Sequence, residues 1–118
     1  MRKFFKGFVF AFQGIRYTFN TQINFRVQCF LAILISSLCF YLNISVAEWL
    51  WIMGATALVL MSELGNTAIE TLVDLVTPEY NVKAGIIKDI SAGIVLIAAF
   101  TALIIGVLIL LPKILHVT

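Results

Sequence analysis

The sequence predicts an all-α integral membrane protein, with three transmembrane helices and an N-terminal amphipathic surface helix. Three observations carry this. The 118-residue chain is 62% hydrophobic and 12% charged, whereas soluble domains carry roughly 25% charged residues. Too few charges exist to coat a water-facing surface. The stretches Val27 to Ala47 and Ile90 to Pro112 contain no charged residue, and about 20 apolar residues cross the hydrocarbon core. Trp49 to Ser62 is also uncharged, and its apolar pattern continues to Val76. The mean hydropathy of +1.07 agrees.

Taken in order, residues 1–25 form the surface element. At about 100° per residue, Phe4, Phe8, Phe12, Ile15 and Phe19 fall within about 80° of one another, while Lys3, Lys6, Gln13, Arg16 and Asn20 occupy other sides. A basic amphipathic helix lies in the headgroup plane, as a passive anchor or as a wall of an active site. Lys6, Gln13 and Arg16 interrupt the apolar residues, so no cleaved signal peptide is expected. The first span, 27–47, holds Cys29 and Cys39. On one helix they are roughly 15 Å apart along the axis, beyond disulfide reach, and they read as small packing residues. The middle helix is predicted over 49–76, ended by Pro78, which disfavours helical geometry at Thr77. The third span covers 90–112. The whole reads as a single membrane domain, 1–118.

Basic residues set the orientation. Arg2, Lys3, Lys6, Arg16 and Arg26 precede the first span, and Lys83 and Lys88 lie between the second and third. The other loop has no Lys or Arg, and Lys113 stands alone near the C-terminus. The positive-inside rule puts the N-terminus in the cytoplasm and the C-terminus outside, with Trp49 and Trp51 at the outer interface. A net charge of +2 without a basic tract gives no reason to expect a nucleic-acid partner. His116 is the only histidine, and it reads as a solvated tail residue.

The middle helix carries the informative side chains. Glu63, Asn66, Glu70 and Asp74 follow one another in steps of three or four and fall within roughly 80° on one face. A carboxylate at the bilayer centre costs about 2.5–3.5 kcal/mol even on insertion scales. Such groups persist where they face protein or water. A polar helix–helix seam, an ion or proton pathway and an interfacial enzyme all remain open on this ground. Depth separates them. A helix over 49–76 is roughly 42 Å long against a core of about 30 Å. With Trp49 at the outer boundary, Glu63 lies just inside the hydrocarbon, Glu70 at the interface and Asp74 among the headgroups. A channel needs polarity across the whole bilayer, yet the first and third spans are nearly wholly apolar. Lys88-Asp89 directly precedes the third span on the same side. It is either a charged anchor for that span or a phosphate-handling pair beside carboxylates able to hold Mg²⁺. Walker-A and protein-kinase signatures are missing, as is a Cys/His zinc cluster.

The segment ELGNTAIETLVD, from Glu63 to Asp74, closely resembles the E-x-x-N-[ST]-A-[IV]-E-x-x-[VI]-D signature of the prokaryotic diacylglycerol kinase family, which includes undecaprenol kinases. Gly14 to Arg16, Phe25-Arg26 and the segment KDISAGIVLI from Lys88 to Ile97 resemble further parts of that family. The resemblance covers nearly the whole chain. It implies a homotrimeric bundle in the inner (cytoplasmic) membrane, with composite sites that use ATP and Mg²⁺ to phosphorylate diacylglycerol to phosphatidic acid. Undecaprenol is the alternative substrate, and a small channel or transporter subunit is the alternative from another class. By the same resemblance Glu63 is the general base, Glu70 the metal ligand, and Lys88, Asp89, Glu79 and Tyr80 the nucleotide contacts. Arg16 and Arg26 are implied at the lipid headgroup, and Asn66 and Asp74 as supports. One departure stands out. Where the family often has a second acidic metal ligand, this chain has Gln22, and a later acid of some relatives is Gln28. No acidic residue precedes Glu48.

Overall fold

The computed structural model describes residues 1–116. Its elements are α1 (Arg2–Thr21), α2 (Ile23–Tyr41), α3 (Val46–Val76) and α4 (Val82–Ile114), with no strand among the described residues. Helices α2, α3 and α4 are each long and apolar enough to cross a bilayer. Large apolar side chains remain on the outside of all four helices, Phe30, Leu50 and Leu108 among them. In water that surface would drive aggregation; in lipid it is the solvated face. The chain is a multi-pass membrane protein.

Helix α1 keeps only Thr18 buried, as expected of an amphipathic element beside the bundle. It stops at Gln22, whose backbone is extended (φ −115°, ψ 110°). The guanidinium of Arg26, one turn into α2, donates to the carbonyls of Phe19 (2.8 Å) and Asn20 (3.2 Å). Those carbonyls lack partners within their own helix, so Arg26 caps α1 and ties it to α2.

The first span differs from its predicted limits. Helix α2 begins at Ile23 and ends at Tyr41, and residues 42–45 form a turn rather than the end of a helix reaching Ala47. The turn is a Schellman motif. Asn43 takes a left-handed φ of 52°, its N–H donates to the Phe40 carbonyl, and the Ile44 N–H donates to the Cys39 carbonyl. The apolar contact that accompanies this motif is present, since Ile44 and Cys39 pack with Ile52 and Leu110 in the buried core. Ser45 and Glu48 then close a capping box at the start of α3. Counting uncharged residues passes over both signals.

Helix α3 ends at Val76 as Pro78 dictates. Helix α4 starts eight residues before the predicted span, at Val82, because the Asn81 side chain accepts from Lys83 N (2.9 Å) and Ala84 N (3.3 Å). Lys88 and Asp89 therefore sit on a helix and not in a loop. The α3–α4 pair makes the most extensive contact in the chain, and the small residues Ala55 of α3 and Ala84 and Ala98 of α4 are buried.

Candidate active site

Four polar side chains of α3 open the site. Glu63 is 2% exposed, so its carboxylate is withdrawn from solvent. One turn on, the Thr67 hydroxyl donates to the Glu63 backbone carbonyl at 2.9 Å. Between them Asn66 uses one amide nitrogen twice. It donates to Glu63 Oε2 at 3.3 Å and to Glu70 Oε1 at 3.1 Å. Residues three and four apart on a helix are neighbours, so the spacing itself builds this bridge. Both neighbours are acceptors, which requires the NH₂ group to face them. The other amide atom, Asn66 Oδ1, is buried without a partner.

The predicted single file of four divides at this point. Asp74 turns toward α4, where Lys88 Nζ lies 2.6 Å from its Oδ1. The side chains of this pair are 39% and 63% exposed, and an ion pair at such exposure contributes about 0–1 kcal/mol. An arriving phosphate can displace it at small cost. Asp89 and Glu79 are exposed, and Tyr80 is 89% exposed. The Glu79 backbone carbonyl accepts from Thr77 Oγ1 at 3.2 Å, which shapes the turn while its carboxylate stays free of this bond.

The remaining expected residues lie apart from this cluster. Gln22 is half-buried, and its amide donates to the adjacent Thr21 hydroxyl at 3.4 Å, with no hydrogen bond to Asn66 or Glu70. Arg26 is occupied in capping α1. Arg16 is exposed and lines an apolar groove of about 480 Å³ between α1, α2 and α3. Three polar residues were not singled out from sequence for the positions they hold. Thr67 falls one turn from Glu63 and was legible from spacing. Ser91 is 2% exposed with an unpartnered hydroxyl, and it lies one turn after Lys88. Gln28, read only as a missing acid, buries its Oε1 without a partner.

The donor set suits a hard cation. Among the described residues no group of three or more His, Cys, Asp or Glu side chains surrounds a metal position. Mg²⁺ does not need one, because it takes one or two carboxylates and completes its shell with water and substrate phosphates. The half-buried Glu70 carboxylate, one turn from Asn66 on α3, fits that requirement.

Comparison with known proteins points the same way. The family described as prokaryotic diacylglycerol kinase matches residues 9–110. The chain is 39% identical over 113 residues to an undecaprenol kinase of Bacillus subtilis, covering 96% of this chain and 92% of that protein. It is 38% identical over 110 residues to a diacylglycerol kinase of Synechocystis, covering 92% of this chain and 63% of that protein. A diacylglycerol kinase of Escherichia coli is 27% identical over 95 residues, with 80% of this chain and 78% of that protein covered.

Proposed function

The chain belongs to the prokaryotic diacylglycerol kinase family, and from that premise we propose that it transfers the terminal phosphate of ATP to a membrane-dissolved lipid alcohol. The observation that carries this reading is the Asn66 bridge, which holds a buried carboxylate and a more accessible one 3.3 Å and 3.1 Å from a single nitrogen. A lipid hydroxyl arrives from the apolar side and ATP from water, so a reaction between them needs one group in each environment. Glu63 takes the proton of the lipid hydroxyl. Asn66 donates to both carboxylates and so fixes their spacing.

Glu70 would hold Mg²⁺, which when bound neutralises phosphate charge. Lys88 leaves Asp74 for the phosphates, and Asp89, Glu79 and Tyr80 contact the nucleotide from α4 and the exposed turn. Phosphoryl transfer is mostly positioning and charge stabilisation, and these residues supply both. Asp74 holds Lys88 in place beforehand. Gln22 stays a candidate contact to the metal, and its present bond to Thr21 is weak enough to break. Arg16 is the arginine free to meet a lipid headgroup. The site faces the cytoplasm of the inner membrane, in keeping with the distribution of basic residues.

Three copies of the chain complete the site in this reading. A single chain leaves Glu70 and Lys88 partly open to solvent, whereas phosphoryl transfer gains from water exclusion. Diacylglycerol is the first substrate, giving phosphatidic acid. Undecaprenol is a second reading, favoured by the 92% coverage of the Bacillus undecaprenol kinase. The test is transfer of labelled phosphate from ATP in mixed micelles containing one alcohol or the other. Failure with both alcohols would overturn the proposal. Mixing Glu63→Gln with Lys88→Ala tests the shared site, and cross-linking that yields only monomers at full activity contradicts it.

A further inference from the structure

Ser91 is a buried polar side chain of α4 to which the reaction described above gives no task. It is 2% exposed, and its Oγ has no hydrogen-bond partner. A helical serine or threonine commonly donates its hydroxyl to the backbone carbonyl one turn earlier. Thr67, Thr71 and Thr101 of this chain do so, at 2.9, 2.7 and 2.9 Å. Ser91 does not. Packing gives no reason for a hydroxyl here either. Ala84 and Ala98 stand seven residues to either side of Ser91 and are also buried, so the three share one line along α4. The helix packed most extensively on α4 is α3, and small residues on such a line let two backbones approach. An alanine at position 91 would serve that purpose without burying an unpartnered polar group.

The register of the two helices shows what lies level with the hydroxyl. Asp74 meets Lys88 at one end and Glu48 meets Lys113 at the other, so α3 and α4 run antiparallel and in step to within one residue. Ser91, three residues after Lys88, is therefore level with Glu70 and Thr71 to within about 1.5 Å along the axis. Glu70 lies one turn before Asp74 on the same face of α3, and Asp74 is the residue that meets α4. Building on the kinase reading, we propose that Ser91 is a positioning residue for Glu70, its hydroxyl donating to that carboxylate from α4 and orienting it to hold Mg²⁺ with the nucleotide. Asn66 already donates to Glu70 Oε1 from α3, and Ser91 takes the second oxygen. The hydroxyl is unpartnered in this structure, so the bond is one made on loading, when the longer Glu70 side chain turns. Donors on two helices fix the plane of a carboxylate that one donor leaves free to rotate. Outer supports of this kind carry about 10–100-fold in metal affinity.

The test compares wild type, Ser91→Ala and Ser91→Thr as purified full chains in maltoside micelles, with two readouts against Mg²⁺ concentration. One is the rate of phosphate transfer from ATP to diacylglycerol or undecaprenol. The other needs no turnover: the rise in thermal midpoint caused by Mg²⁺ together with a non-hydrolysable ATP analogue. Ser91→Ala should keep or raise the midpoint of the unloaded protein, because it deletes an unpartnered buried hydroxyl. It should nonetheless need about tenfold more Mg²⁺ in both readouts, with a loss of kcat at saturating Mg²⁺ of no more than about threefold. Ser91→Thr keeps the hydroxyl and should hold the requirement to within about threefold of wild type. An unchanged requirement in Ser91→Ala, beside a wild type that transfers phosphate, overturns the inference and leaves the kinase reading standing. So does a lowered midpoint with loss of kcat alone, the mark of a packing role. A wild type that phosphorylates neither alcohol but shows the analogue shift removes the kinase reading alone, and the shift in Ser91→Ala still decides the role of Ser91. Neither transfer nor shift in the wild type removes both.

Discussion

Each end of the α3–α4 pair is tied by one ion pair, and the two ends are built to different ends. Near the 42–45 turn, Lys113 Nζ lies 3.2 Å from Glu48 Oε1, and both side chains are 28% exposed. Glu48 also closes the Ser45 capping box, accepting from the Ser45 N–H at 2.9 Å. A packed cluster of Cys39, Ile44, Ile52 and Leu110 lies next to it. Near the 77–81 turn, Lys88–Asp74 is shorter but more exposed, and the polar atoms Asn66 Oδ1 and Ser91 Oγ nearby in sequence are buried without partners. One end satisfies its polar groups and the other leaves some unsatisfied. Unpaired buried polar atoms carry a cost of about 1–3 kcal/mol each, and native structures keep few of them. The difference supports the proposal that the second end is the one that takes a ligand.

That comparison is open to attack at both ends. The largest effect is expected at Glu63. Glu63→Gln should reduce turnover by about 10²–10⁴, with the KM for ATP nearly unchanged and the helical circular dichroism intact. Near-normal turnover would remove the general-base role. Next comes Glu70. Glu70→Gln should abolish activity at any usable Mg²⁺ concentration, since the other carboxylate of the Asn66 bridge, Glu63, is buried and assigned to the lipid hydroxyl. In the same Mg²⁺ titration Gln22→Glu should lower the concentration giving half-maximal rate, because a second carboxylate strengthens Mg²⁺ binding. An unchanged requirement, in a protein that is still active, would show that position 22 does not face the metal.

Smaller effects should separate stability from chemistry. Ser45→Ala removes the cap of α3 and should cost about 0.5–2 kcal/mol, read as a lower thermal midpoint with kcat unchanged. Lys113→Ala should cost about 0–1 kcal/mol and likewise spare kcat. Lys88→Ala reverses the pattern, with little change in midpoint and a large loss of rate. If Lys113→Ala and Lys88→Ala behaved alike, the functional distinction between the two ends would fail.

Much of this was legible in the sequence because the deciding forces are local or periodic. The surface helix, the end of α3 at Pro78 and the Glu63-Asn66-Glu70 face all follow from helix period and backbone sterics. The start of α4 was missed because charge counting stops at Asp89, whereas the Asn81 side chain sets the boundary by capping backbone N–H groups. The end of α2 was missed for the same kind of reason, since the left-handed Asn43 and the Ser45 cap carry no charge. Arg26 illustrates a harder limit. Its bond to Phe19 spans seven residues across the α1–α2 break, and no helical period anticipates a contact made around a bend. The partition of Asp74 toward Lys88 is likewise tertiary, requiring α3 and α4 to lie side by side.

The length of α3 has a consequence for the membrane itself. Thirty-one residues extend roughly 46 Å, about 16 Å more than a hydrocarbon core of ~30 Å. If the Trp49 end is held at the outer interface, bilayer thickness decides which residues emerge on the other side, at one residue for each ~1.5 Å. A bilayer thickened by about 6 Å would draw Glu70 toward hydrocarbon and bring Asp74 to where Glu70 had been, unless the helix tilts or the bilayer thins, each at a modest elastic cost. The distance between Glu63 and Glu70 is set by the helix, but the dielectric boundary that falls between them is set by the length of the surrounding acyl chains. The lipid is thus part of the ruler that registers the two carboxylates to oil and water.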